Sequence, residues 1–173
     1  MTLIVVSGAP GTGKSTIAAA IAADLRWPVL SLDPIKELLA DVLGLGDEDW
    51  SDRLGDAAAE IVFRQAASFP AAVAEGWWRR ARRDRAVEVF AGAVEVFCRC
   101  EPELALSRMR ARHGHGRHPI HRDVINPVML ERASELAATV LPLGLGAELI
   151  TADTGQAGAV AAAVARARAA IRR

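Results

Sequence analysis

The apolar positions of this chain fall into two alternating patterns. Leu3 to Ser7 is a continuous apolar, largely β-branched run, as expected of a strand buried on both faces of a sheet. From Ser15 to Arg26 the apolar residues Ile17, Ala20, Ile21 and Leu25 recur at helical spacing, and Trp27-Pro28 ends that helix before a short strand, Val29-Leu30-Ser31-Leu32. Asp33-Pro34 opens another helix, with Ile35, Leu38, Leu39 and Val42 on one side and Gly44 to Gly46 closing it. The acidic stretch Gly46 to Trp50 reads as a surface loop, and an alanine-rich helix follows from about Leu54 to Ser68.

The second half repeats the alternation. A third strand, Ala71 to Ala74, ends at Glu75-Gly76, with Trp77-Trp78 just beyond it. A helix fits Arg79 to Phe90, a strand Ala93 to Cys98, and a helix Glu101 to Arg112 with Pro102 at its start. Next comes a loop rich in glycine, histidine and arginine, His113 to His121, then a helix from Pro127 to about Val140, a last strand from Glu148 to Thr151, and an Ala/Arg helix. Strands alternating with helices predict an α/β three-layer sandwich: a mostly parallel, five-stranded sheet with helices on both faces and its functional loops at the carboxyl ends of the strands.

Composition adds bounds. A chain of 173 residues, 51% hydrophobic and 24% charged, suits one globular domain over 1–173. Its formal net charge is zero, which removes the simplest argument for nucleic-acid binding. The first residues lack a basic segment and a cleavage site, and their apolar run is too short for a bilayer, so the expected location is the cytoplasm, without membrane attachment. Cys98 and Cys100 share a strand face too closely in sequence for a structural disulfide and read as reduced thiols. Arginine supplies nearly all the positive charge; the only lysines are Lys14 and Lys36.

Gly8-Ala9-Pro10-Gly11-Thr12-Gly13-Lys14-Ser15 matches the P-loop pattern, after a buried strand and before a helix. Its glycines let successive backbone N–H groups converge on phosphate oxygens, and the helix adds its positive end. Lys14 is expected to reach the β- and γ-phosphates and the Ser15 hydroxyl to ligate Mg²⁺. The pattern alone does not choose between ATP and GTP, nor between ATPase, GTPase and kinase. No Asn-Lys-x-Asp guanine signature occurs, and no long apolar strand ends in an aspartate of the usual metal-binding kind. Both absences favour a kinase arrangement.

The chain resembles the small P-loop kinases, the group that includes gluconate kinases, chloramphenicol phosphotransferase, polynucleotide 5′-kinases and zeta toxins. The resemblance runs through Gly8 to Thr16, then Leu30-Ser31-Leu32-Asp33 with Ile35-Lys36, Glu75-Gly76, and Arg108 and Arg112 leading to Arg117-His118-Pro119-Ile120-His121, where Ile120 replaces the usual glycine. It implies a small lid at approximately 113–126, with Arg112 and Arg117 acting on the transferred phosphate and Arg108 on the nucleotide. It implies Asp33 as the general base toward the acceptor hydroxyl; the competing role is a cap on the helix that starts at Pro34. Glu75 has two readings, a metal-bound water or acceptor hydroxyl on one side and a salt bridge to Arg79 or Arg80 on the other. Trp77 and Trp78 either line the acceptor pocket or belong to the core. The four histidines of 113–121 fit a lid better than a zinc site, since Gly114 and Gly116 interrupt them.

The reading that follows is an ATP- and Mg²⁺-dependent phosphotransferase, a kinase moving the γ-phosphate to a hydroxyl of a small molecule. Its catalytic set is Lys14, Asp33, Arg112 and Arg117, with Gly8 to Thr16 and Arg108 on the nucleotide. Two alternatives stand beside it: a kinase for a nucleic-acid 5′-hydroxyl or a nucleotide-sugar, and a regulatory or toxin-like nucleotide-binding module without small-molecule turnover.

Overall fold

The computed structural model describes residues 2–78, 80–113, 117–121 and 134–172. Five strands, β1 (Thr2–Gly8), β2 (Val29–Ser31), β3 (Ala71–Glu75), β4 (Val94–Arg99) and β5 (Leu149–Asp153), form one parallel sheet in the order β2-β3-β1-β4-β5. The helices are α1 (Lys14–Leu25), α2 (Leu32–Leu43), α3 (Glu48–Ser68), α4 (Arg80–Val89), α5 (Pro102–His113), a helical stretch at 134–139 (α6) and α7 (Ala159–Ala170). Parallel neighbours need crossovers, so every strand's carboxyl end reaches the same edge of the sheet.

The central strand shows why its sequence is apolar throughout. Leu3 and Val5 point into a core shared with Val62 and Phe63 of α3 and Phe90 after α4, whereas Ile4 and Val6 point into the core under α1 and α7, with Ile17, Ile21 and Ala163. Both sets are buried, and each large aliphatic side chain so placed contributes about 1.5–3 kcal/mol over its exposed state. A smaller cluster of Ala40, Leu54 and Ile120, with Leu39 and Trp50 against it, joins α2, α3 and the 117–121 segment.

Several boundaries differ from those the sequence predicts. Helix α3 begins at Glu48, so most of the expected acidic loop at Gly46 to Trp50 is helix. Asp47 caps it by accepting the Trp50 backbone N–H at 2.8 Å, and Glu48 and Asp49 sit where the helix dipole favours anions. Helix α2 begins one residue before Asp33; Ser31 is its N-cap residue, and Asp33 is not the cap. Strand β5 runs two residues further than expected, to Asp153. Of the expected lid, 114–116 and 122–126 lie outside the described residues, as do Arg79 and the first part of the helix expected from Pro127. Among the described residues, no helix is long and apolar enough to cross a membrane.

Candidate active site

At the carboxyl edge of the sheet, β1 turns through Gly8–Gly13 into α1. Two glycines make this turn sterically possible. Gly8 has φ +138° and lies so close to β4 that a Cβ would come 2.3 Å from the Cys98 carbonyl oxygen; Gly11 has φ +81°, and its Cβ would come 2.4 Å from the Ala105 carbonyl oxygen on α5. The loop is braced from within. The Thr12 hydroxyl and the Lys14 ammonium both donate to the Ala9 carbonyl at 2.8 Å, and Pro10 sits at the turn between them.

Gly13 is the N-cap residue of α1 and has no side-chain cap hydrogen bond, which leaves the first-turn amides of the helix directed at the loop's interior. Lys14 is almost fully buried. Ser15 and Thr16 lie in the exposed part of that first turn. Behind the loop, burial pushes the Cys98 thiol up to about 12, so this cysteine stays protonated and inert.

Glu75, the last residue of β3 and 4% exposed, stands between two hydroxyls. It accepts from Ser31 Oγ at 2.5 Å and from Ser15 Oγ at 3.4 Å. The salt bridge to Arg79 or Arg80 that the sequence also allows falls on side chains outside the described ones. A carboxylate thus ends an apolar strand beside the P-loop serine after all, as a glutamate where the sequence reading looked for an aspartate. Ser15 and Glu75 form a hard oxygen pair of the kind Mg²⁺ accepts while keeping waters and phosphate oxygens as its other ligands.

Asp33, in the first turn of α2, faces the 117–121 segment. Its carboxylate accepts from an Arg117 terminal nitrogen at 3.1 Å. Loss of solvent pushes the Asp33 carboxyl up, but the charges of His121, Arg117 and Lys14, together with the Arg117 hydrogen bond, outweigh it and hold the group below its ordinary value. The influence of Lys14 places Asp33 within electrostatic reach of the phosphate cradle. Two further pairs extend the contact along α2: His121 Nε2 lies 2.6 Å from Glu37 Oε1, and His118 Nε2 lies 3.1 Å from Asp41 Oδ1. Asp33, Glu37 and Asp41 recur every four residues on one helix face, a spacing visible in the sequence but not singled out there. The segment is also pinned by Ile120, 1% exposed, whose carbonyl accepts the Ser51 hydroxyl at 2.9 Å.

The other arginines are placed differently. Arg108 donates to Thr154 Oγ1 and to the Thr154 carbonyl, each at 2.8 Å, and lies 3.5 Å from the Gly11 carbonyl oxygen. Thr154 in turn donates to the Thr12 carbonyl at 2.8 Å, so Arg108 and Thr154 join the loop after β5 to the P-loop. Arg112 lies exposed in the last turn of α5. Trp78 is core: it stacks on Phe63 at 5.4 Å and meets Phe90 edge-on at 5.1 Å. Trp77 is half-buried.

A family model described as an AAA domain matches residues 3–135. Over the whole chain the fold is similar to that of a candidate kinase from Chloroflexus aurantiacus J-10-fl, with 30% identity, TM-score 0.87, and coverage of 98% of this chain and 97% of that one. It is similar in fold to a gluconokinase from Sinorhizobium meliloti 1021 (23% identity, TM-score 0.64, 99% of this chain and 94% of that one). A shikimate kinase from Bacteroides thetaiotaomicron gives 17% identity and a TM-score of 0.65, with 99% of both chains covered. No curated protein matches the sequence. With its parallel β2-β3-β1-β4-β5 sheet and its P-loop between β1 and α1, the chain belongs to this AAA domain family, as one of its small P-loop kinases.

Proposed function

We propose that the protein transfers the γ-phosphate of ATP to a hydroxyl group of a small molecule. The observation that carries this reading is Asp33: a carboxylate in contact with Arg117 and held below its ordinary pKa by the charges of His121, Arg117 and Lys14. A nucleotide-binding module without chemistry has no use for such a carboxylate there, whereas a kinase needs one to orient the attacking hydroxyl.

In this reading the P-loop amides and Lys14 hold the β- and γ-phosphates, and Ser15 and Glu75 would hold Mg²⁺, which would supply charge neutralisation at the phosphate oxygens. Asp33 accepts the hydroxyl hydrogen bond and aligns the oxygen with the γ-phosphorus. The acceptor O–P bond then forms as the bond between the γ-phosphorus and the β–γ bridging oxygen breaks; the electron pair leaves on ADP and the proton passes to Asp33. Arg117 exchanges the Asp33 carboxylate for the transferring phosphoryl oxygens, where a guanidinium stabilises the charge that develops. Arg112, at the end of α5 on the way to the lid, is a second cation for the same oxygens, and Arg108 keeps the P-loop in shape for the nucleotide.

The test is ADP release with Mg²⁺-ATP across a panel of alcohol acceptors, for the natural protein and for Asp33→Asn. Acceptor-dependent ADP formation that collapses in the variant while ATP binding persists is the expected result. Tight ATP binding with no stimulation by any acceptor would sink the proposal.

A further inference from the structure

Beside the P-loop the carboxyl edge of the sheet opens into a cavity of about 430 Å³, large enough for a small organic molecule. It is bordered by Ser7 and Gly8 at the entry to the cradle and by Trp77 and Trp78 after β3. Its remaining apolar border is Leu136, Val140, Leu141 and Leu143, from α6 and the segment that follows it.

Most polar side chains around this space are already engaged with the protein itself; the exception is the buried Trp78 Nε1–H, which has no hydrogen-bond partner among the described residues. Ser7 Oγ donates to Glu95 Oε1 at 2.5 Å. Glu95, on β4 and only 2% exposed, also accepts the backbone N–H groups of Leu143 at 2.8 Å and Gly144 at 3.0 Å. From the other side, the Arg83 guanidinium donates to the carbonyls of Leu141, Pro142 and Leu143 at 3.4, 2.6 and 3.2 Å. Thr139 Oγ1 donates to the Glu135 carbonyl at 2.7 Å.

A buried glutamate and an arginine thus clamp the same short segment, one through its amides and the other through its carbonyls. The clamp fixes Leu141 at the cavity although this leucine is 72% exposed. Apart from that indole N–H, what the described walls offer an occupant is mainly aromatic and aliphatic surface. A polyol carries a polar group on almost every carbon, and each one buried here without a partner would weaken binding.

We propose that this cavity is the acceptor site and that it takes a hydroxyl compound with an apolar, ring-sized body, selected by the 141–144 segment that Arg83 and Glu95 position. The proposal rests on the phosphotransferase reading above and narrows it. The apolar body of the acceptor lies against Trp77 and Leu141, and its hydroxyl end leaves the cavity past Gly8 toward Lys14 and Asp33, which are not part of the cavity lining.

The test compares kcat/KM with Mg²⁺-ATP for a series of aryl alcohols, beginning with phenylethanol, against glycerol, ribose and gluconate, and repeats the measurement in Leu141→Ser, Arg83→Met and Arg83→Lys. The aryl series is expected to be preferred. Leu141→Ser is expected to raise the acceptor KM about tenfold while leaving the KM for ATP unchanged. Arg83→Met should raise the acceptor KM in the same selective way, and Arg83→Lys should restore part of the loss, because a lysine still donates to the segment's carbonyls. Turnover best on a polyol overturns the acceptor class and leaves the kinase reading standing. Aryl-alcohol turnover with an acceptor KM untouched by Leu141→Ser overturns the site. ATP binding measured calorimetrically, with no acceptor of either kind stimulating ADP release, overturns the phosphotransferase reading and this proposal with it.

Discussion

The P-loop and the contact between α2 and the 117–121 segment both border the reaction centre proposed above, yet they are held by different forces. The P-loop is shaped by sterics: a positive φ, an absent Cβ and backbone carbonyls packed within van der Waals reach. The α2 contact is shaped by charge, with Asp33, Glu37 and Asp41 facing Arg117, His121 and His118 across a partly exposed surface. Sterically fixed loops have one conformation. These side-chain pairs contribute about 0–1 kcal/mol each and are screened by salt, so Arg117 can leave Asp33 while the buried Ile120 keeps the segment in place. The proposed mechanism uses both properties, a rigid grip on the nucleotide and a releasable grip on Arg117, the arginine assigned there to the phosphate.

Breaking the steric side should have the largest effect. Gly11→Ala puts a methyl group 2.4 Å from the Ala105 carbonyl oxygen at a backbone angle that alanine rarely adopts. We expect it to displace the loop from α5 and to lower nucleotide affinity at least a hundredfold, with a fall in Tm corresponding to about 1–3 kcal/mol. An ATP titration with a thermal melt checks both. Unchanged affinity would mean that the loop tolerates a second shape and that the contrast with α2 is false.

Asp33→Asn comes next. It keeps the side chain's size and removes its charge, so turnover is expected to fall by about 10²–10⁴ while ATP affinity holds, because the steric grip is untouched. Steady-state kinetics beside equilibrium binding separates the two. A parallel loss of ATP affinity would instead make Asp33 part of the cradle.

The two regions also differed in how well the sequence announced them. The P-loop was legible because its residue types are dictated position by position: Gly8 and Gly11 are required by the geometry now seen around them, and Lys14 and Ser15 by phosphate chemistry. The parallel sheet was legible for a similar reason, since Leu3 to Val6 face two cores at once. The α2 contact was only half legible. The resemblance singled out Asp33 and Arg117, but their pairing joins residues far apart in the chain, and no local pattern encodes it. Glu37 and Asp41 carry no signal of their own, since acidic residues every four positions suit any exposed helix face. Asp47 is a readable helix-start signal, with Glu48 and Asp49 behind it, yet the density of acidic residues there equally suits a loop. Glu95 gave no signal at all, because one glutamate in an apolar strand does not show that it will meet Ser7 and the amides of 143–144.

Arg117→Ala should have a smaller effect than either change above, about ten- to a hundredfold on kcat, since one cation among several is lost from the phosphate. It also sharpens the comparison through salt. In the natural protein, added salt weakens the Arg117–Asp33 pair and frees both groups, so the salt dependence of the rate should flatten in the variant. Measuring kcat at two ionic strengths for both proteins decides it: equal salt responses would show that the α2 contact is not what salt acts on.

The smallest effect, and the most direct reading of charge, is the pH dependence of stability. The Asp33 carboxyl is held below its ordinary value of 3.8, chiefly by His121, Arg117 and Lys14 against the opposing pull of desolvation. A group whose folded-state pKa is depressed contributes stability that is fully present above the unfolded pKa and is lost as pH falls through the folded one. The natural protein should therefore melt at a higher temperature than Asp33→Asn at pH 5 to 7, and the gap should close as the pH is lowered below about 4. Arg117→Ala removes one of the charges that depress the group, so in that variant the contribution should be smaller and its loss complete at a higher pH. A gap between natural protein and Asp33→Asn that stays constant across the acid range would assign the contribution of Asp33 to packing, and would place the α2 contact on the same steric footing as the P-loop.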